Sequence, residues 1–84
     1  MTSVLPINFK TLKKAQKLNS VSKLQKSIKL FEQNPFHPSL NTELLEPKSL
    51  NIWSFRLDHK IRVIFIWRDD KKAIEILNIT VHYH

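Results

Sequence analysis

The chain has 84 residues, a formal charge of +7 at neutral pH, and neither cysteine nor glycine. Its length suits one small core with no second domain, so residues 1–84 are expected to form a single domain, and the lack of cysteine excludes disulfides and thiolate metal sites. Met1 to Phe9 hold no charged region followed by an apolar run, and no stretch reaches the roughly 18 uninterrupted apolar residues of a membrane span, so a cytoplasmic protein without membrane contact is expected.

Residues 9–18 place Phe9, Leu12 and Ala15 at helical spacing, with Lys10, Lys13, Lys14 and Lys17 following i, i+3, i+4, i+7 on another face. This predicts a short amphipathic helix. Asn19 or Ser20 can cap a second helix, in which Val21, Leu24, Ile28 and Phe31 recur at three and four residues until Asn34-Pro35 stops it. Lys23, Lys26 and Lys29 lie on that second helix, and all seven lysines of the helical hairpin precede the first acid, Glu32. From residue 30 onward seven basic residues balance seven acids, so the whole excess charge sits in residues 10–29. Such a field attracts polyanions, and the alternative is a solvated lysine-rich helix face kept for solubility.

Residues 35–51 carry three prolines and no sustained period, and read as an ordered connection or partly extended segment. Without glycine the turns fall to Asn, Asp and Pro, and Asn19, Asn34, Asn41 and Asn51 are the residues that tolerate left-handed backbone near the breaks. After Asn51 helical spacing disappears. Ile52 to Asp58 alternates as a half-buried strand, and the nearly all-apolar Ile61 to Trp67 suits a central strand covered on both faces. Asp69-Asp70 marks a turn before a third strand, Ala73 to His82, and a short strand at Val4 to Asn8 would be confined by Pro6 to an edge. The expected architecture is α+β, an antiparallel sheet with two helices packed on one face.

The sequence has no Gly-rich phosphate loop and no nucleophile elbow. His82 and His84 are two apart and can share a face, but a metal site would need a third ligand from distant His37, His59 or a carboxylate. Arg62 is more informative, because a guanidinium in an apolar strand must find an acid, such as Asp58 or Glu75, or an anionic ligand. A two-residue His59-Lys60 turn suits neither residue, whereas a three-residue loop would pair Arg56 with Arg62 on one face. Two arginines there repel unless an anion sits between them, and a phosphate has the right geometry.

Asn34-Pro35, His37-Pro38-Ser39-Leu40, Trp53-Ser54-Phe55-Arg56, Arg62-Val63-Ile64-Phe65 and the strand ending Ile79-Thr80-Val81-His82 together resemble the RelE/ParE superfamily of bacterial toxins, over about residues 9–83. Glu43, ten residues before the Trp-Ser motif, and the pair His82-Tyr83 are similar to the RelE and YoeB-like branch of messenger RNA interferases. That resemblance implies a toxin of a type II toxin-antitoxin system, a ribosome-dependent, metal-independent endoribonuclease that inhibits translation. Its implied partners are a cognate antitoxin, the ribosome and messenger RNA, with no cofactor and no small-molecule substrate. It assigns Glu43 as general base on the 2′-hydroxyl, Arg62 as the stabiliser of phosphorane charge and His82 as the acid protonating the 5′-oxygen, with Tyr83 beside it. Arg56 is a second phosphate contact, and Lys10, Lys13, Lys14 and Lys17 are the RNA-binding stripe. Trp53 is read as core rather than as a base-stacking platform. Many family members carry a tyrosine several residues beyond the position of His82, and this sequence does not. A catalytically inactive RNA- or ribosome-binding relative is therefore one alternative, and a ParE-like inhibitor of gyrase is another.

Overall fold

The computed structural model describes residues 2–81. A short strand β1 (Ser3–Val4) leads into helix α1 (Phe9–Lys17) and helix α2 (Val21–Gln33). A 3₁₀ turn at Pro38–Leu40, strand β2 (Glu43–Leu44) and a second 3₁₀ turn at Lys48–Leu50 follow, before β3 (Trp53–Arg56), β4 (Ile61–Arg68) and β5 (Ala73–Val81). The five strands form one sheet in the order β1-β5-β4-β3-β2. No helix among the described residues is long and apolar enough to cross a membrane.

Asn8 starts α1, its Oδ1 accepting from the Thr11 amide at 2.8 Å. On this helix Ala15 and Thr11 are buried, whereas Phe9 is 75% exposed and lies beside the Lys13 ammonium, 5.7 Å from its ring centroid. The expected apolar stripe is therefore rotated: the helix sits so that its two small side chains touch the sheet. Ser20 precedes α2 but does not cap it, because its hydroxyl donates back to the Leu18 carbonyl at 3.0 Å. Leu24 and Phe31 anchor α2, and the Phe31 ring meets Phe55 at 5.1 Å, Phe65 at 5.2 Å and Trp67 at 5.8 Å. This aromatic stack fixes α2 over β3 and β4.

The sheet is mixed, not purely antiparallel as the strand pattern suggested. β1 runs parallel to β5, with Ser3 opposite Ala73 and Val4 opposite Ile74. The pairing ends with the Leu5 amide donating to Ile74, since Pro6 has no N–H to continue it. β2, within the segment read as a connection, pairs antiparallel with β3 and forms the opposite edge. β4 also differs from its reading as a strand covered on both faces. Ile61, Val63 and Phe65 are buried, while Arg62, Ile64 and Ile66 are only half-buried, because both helices pack on one face. Among the described residues no helix lies over the other face.

Left-handed backbone falls on Asn19, Asn41 and Asn51 as expected, but Asn34 is extended at the end of α2. Asp69, Asp70 and Lys71 are consecutively left-handed in the β4–β5 connection, a conformation for which lysine has no special aptitude.

Candidate functional site

The loop from β3 to β4 determines which side chains meet on the helix-free face. Leu57 donates to the Ile61 carbonyl, and Asp58 Oδ1 accepts from the amides of Lys60 and Ile61 at 2.8 and 2.9 Å, closing a three-residue connection. That length sets Arg56 directly opposite Arg62, as the sequence predicted, and Arg62 opposite Thr80 on β5. The neighbouring row across the sheet is Glu43, Ser54, Ile64 and Asn78. Residues two apart on a strand share a face, so both rows project from the side away from the helices.

Glu43 and Arg62, assigned to one site from separate segments of the sequence, meet here. Arg62 Nη1 lies 3.3 Å from Glu43 Oε1 and donates to Ser54 Oγ at 3.0 Å. The Arg62 side chain is 19% exposed and that of Glu43 is 50% exposed, so the pair is half-open to solvent. Neither Asp58 nor Glu75, the acids the sequence offers for Arg62, takes that role. Asp58 binds Lys23 Nζ at 2.8 Å, and Glu75 lies 3.6 Å from Arg68. Arg56 is half-buried beside Arg62, and among the described residues no ion pair engages it. The two guanidiniums and one carboxylate leave the patch with a net positive charge. An anion entering the site therefore gains from Arg56 and does not have to displace an acid from it.

The β3–β4 loop is held in turn by charge. The Asp58 carboxyl is lowered to about 2, mainly by the Lys23 ammonium and then by the Lys60 amide, with the Ile61 amide adding to it. Lys23 on α2 thus ties the loop that sets the Arg56–Arg62 register to the helical layer.

Sequence reasoning passed over two polar residues of this face. Ser54 is fully buried beneath Arg62, and the Thr80 hydroxyl, cross-strand from Arg62, is buried with no hydrogen-bond partner among the described residues. The signal for both was strand parity, which puts them on the Arg62 face once the register is known. His82 and Tyr83 lie outside the described residues, immediately after the last residue of β5 in sequence.

Lys10, Lys13, Lys14 and Lys17 line an open groove of about 430 Å³ on α1. Lys14 reaches Asn78 Oδ1 at 3.5 Å, which sets the groove beside β5. Trp53 belongs to an aromatic cluster with Phe36 and Trp67, at 6.0 and 6.1 Å, and its indole donates to Asn51 at 3.0 Å. Among the described residues no three His, Asp or Glu side chains gather as metal ligands do.

Two helices packed on one face of a five-stranded mixed sheet, with a short parallel strand at one edge, define an architecture already seen in solved toxins. The fold is that of the YoeB and YafQ toxins. A YoeB/ParE toxin from Agrobacterium tumefaciens superposes with a TM-score of 0.70 at 19% identity, covering 99% of this chain and 100% of that one. The heterotetrameric YoeB-YefM toxin-antitoxin complex from Staphylococcus aureus matches at 0.67 and 22% identity, covering 99% of this chain and 97% of that one. YafQ from E. coli strain BL21(DE3) matches at 0.70 and 16% identity, over 98% of this chain and 92% of that one. No protein-family model matches the sequence, and no curated protein does.

Proposed function

We propose that the chain is the toxin of a type II toxin-antitoxin pair, a ribosome-dependent endoribonuclease that cuts messenger RNA in the cytoplasm and so inhibits translation. The observation that carries this reading is the meeting of Glu43 and Arg62 at 3.3 Å beside Arg56, on the face that no helix covers. The shared fold of the YoeB and YafQ toxins supports it.

In RNA the attacking 2′-hydroxyl and the scissile phosphate are attached to neighbouring carbons, so a base and a phosphate clamp must themselves be neighbours. Glu43 and Arg62 meet that requirement. Glu43 takes the proton as the 2′-oxygen bonds to phosphorus, and the charge that builds on the phosphorane oxygens is met by Arg62 with Arg56 beside it. The bond from phosphorus to the 5′-oxygen then breaks, and His82, next to Tyr83 in sequence, donates a proton to that oxygen. The products are a 2′,3′-cyclic phosphate and a free 5′-hydroxyl. Histidine suits the donor role because its ordinary pKa, about 6.5, leaves it exchangeable near neutral pH. One proton acceptor, one donor and a cationic clamp complete the chemistry without a metal ion or cofactor.

The lysine groove of α1 would hold ribosomal RNA while the sheet face addresses the messenger, and an acidic antitoxin would cover the same positive surface. Purified protein incubated with translating ribosomes tests this reading through mapping of the messenger RNA ends. New ends bearing a cyclic phosphate are expected. Ribosome binding without new ends would identify an inactive relative, and activity against gyrase alone would identify a ParE-like protein.

A further inference from the structure

Arg62 is held by an acceptor that no charge argument would have selected. We infer that Ser54 is a positioning residue for the Arg62 guanidinium; the inference rests on the proposed role of Arg62 as the phosphate clamp. Three observations carry it. Ser54 has no exposed surface, its Oγ accepts from Arg62 Nη1 at 3.0 Å, and its strand register places it directly opposite Glu43. A buried hydroxyl on a strand has few directions available, so it marks one point in space for the nitrogen above it.

Both contacts to Arg62 run to the same nitrogen, Nη1, one from Ser54 and one from Glu43. Among the described residues nothing else engages the guanidinium, so anchoring through that corner leaves Nε and Nη2 to face an incoming phosphate with the geometry of the guanidinium fork. The two anchors differ in permanence. Glu43 is half-exposed and must turn to the 2′-hydroxyl during the reaction, whereas Ser54 is enclosed by the sheet and stays in place. Ser54 therefore holds the clamp at the moment when Glu43 is occupied with a proton, and so limits the reorganisation Arg62 would otherwise undergo.

The test combines one measurement on the free protein with one on the reaction. Nitrogen relaxation of the Arg62 Nε–H group is recorded for the parent, Ser54→Ala and Ser54→Thr. The order parameter should fall below about 0.6 in the alanine variant and return toward the parental value with threonine, while the melting temperature of the alanine variant stays near that of the parent. Single-turnover cleavage on ribosomes is then measured for Ser54→Ala, Arg62→Ala and the double variant. Loss of a hydrogen bond to a charged group should slow Ser54→Ala about tenfold or more at saturating ribosomes, without a matching change in ribosome affinity. In the Arg62→Ala background the same change should have no further effect, because Ser54 acts through Arg62.

An unchanged Arg62 order parameter in Ser54→Ala overturns the inference. So does a parental cleavage rate in that variant, or a loss of equal size in both backgrounds, which would make Ser54 a general packing residue. If the parent does not cut RNA at all, the reading of the site fails, and the relaxation data alone decide whether Ser54 positions Arg62.

Discussion

Arg62 lies on a half-covered sheet face, where its charge is met by Glu43 and one of its donors by Ser54. Replacing it with alanine leaves Glu43 able to turn to water and Ser54 with one lost partner, so the stability cost should be modest, about 1 kcal/mol. A fully buried pair would behave differently, since truncation would then cost about 3–5 kcal/mol. Asp58 makes the complementary prediction. Its carboxyl is lowered from an ordinary 3.8 to about 2, so its stabilising contribution is complete above pH 3.8 and is lost as pH falls toward 2. Lys23→Met removes the largest cause of that shift. Urea unfolding should show the variant less stable than the parent at pH 7 by on the order of 1 kcal/mol, after allowance for the solvent around Lys23. The difference should be largely lost by pH 2, and a difference independent of pH would assign the effect to packing.

At the scale of elements, α1 presents four lysines around one open groove, and its exposed Phe9 lies beside the Lys13 ammonium rather than in the core. Changing Lys10, Lys13, Lys14 and Lys17 to Gln should weaken ribosome binding and flatten its dependence on salt, each lost phosphate contact lowering the slope by roughly 0.7 to 0.9. A filter-binding titration at several salt concentrations reads this directly, and an unchanged slope would remove the groove from the interface. The helices themselves were legible because four-residue spacing and a Pro stop act locally. The Arg56–Arg62 pairing was legible for a similar reason, since a three-residue loop fixes register without reference to the rest of the chain. β2 was not, because two residues flanked by prolines show no alternation. The resemblance had set Glu43 and Arg62 in one site, but their direct contact left no local pattern, as it exists only once β2 has docked on β3. The parallel pairing of β1 with β5 was equally hidden, because it joins the two ends of the chain and leaves no local pattern.

For the whole molecule, the excess of charge and the small core act together. Residues 10–29 hold the entire net charge of +7, and like charges so concentrated oppose the compact state. A chain of 84 residues has a narrow stability margin, on the order of 0.05–0.15 kcal/mol per residue, so a partner that neutralises this surface should raise it noticeably. An acidic antitoxin that binds the folded state alone would add about 2.7 kcal/mol at a hundredfold excess over its Kd. Thermal melting with the product of a neighbouring gene should therefore shift upward, and no shift would argue against that gene product as the antitoxin.

The most direct test of the proposed site is Arg62→Ala, with its melting temperature and single-turnover messenger RNA cleavage measured on one preparation. Loss of a preorganised contact to the developing phosphorane charge should slow cleavage about a hundredfold or more, with melting close to that of the parent. A variant that cuts at the parental rate, or one that melts far below the parent, would contradict the account and make Arg62 a structural residue.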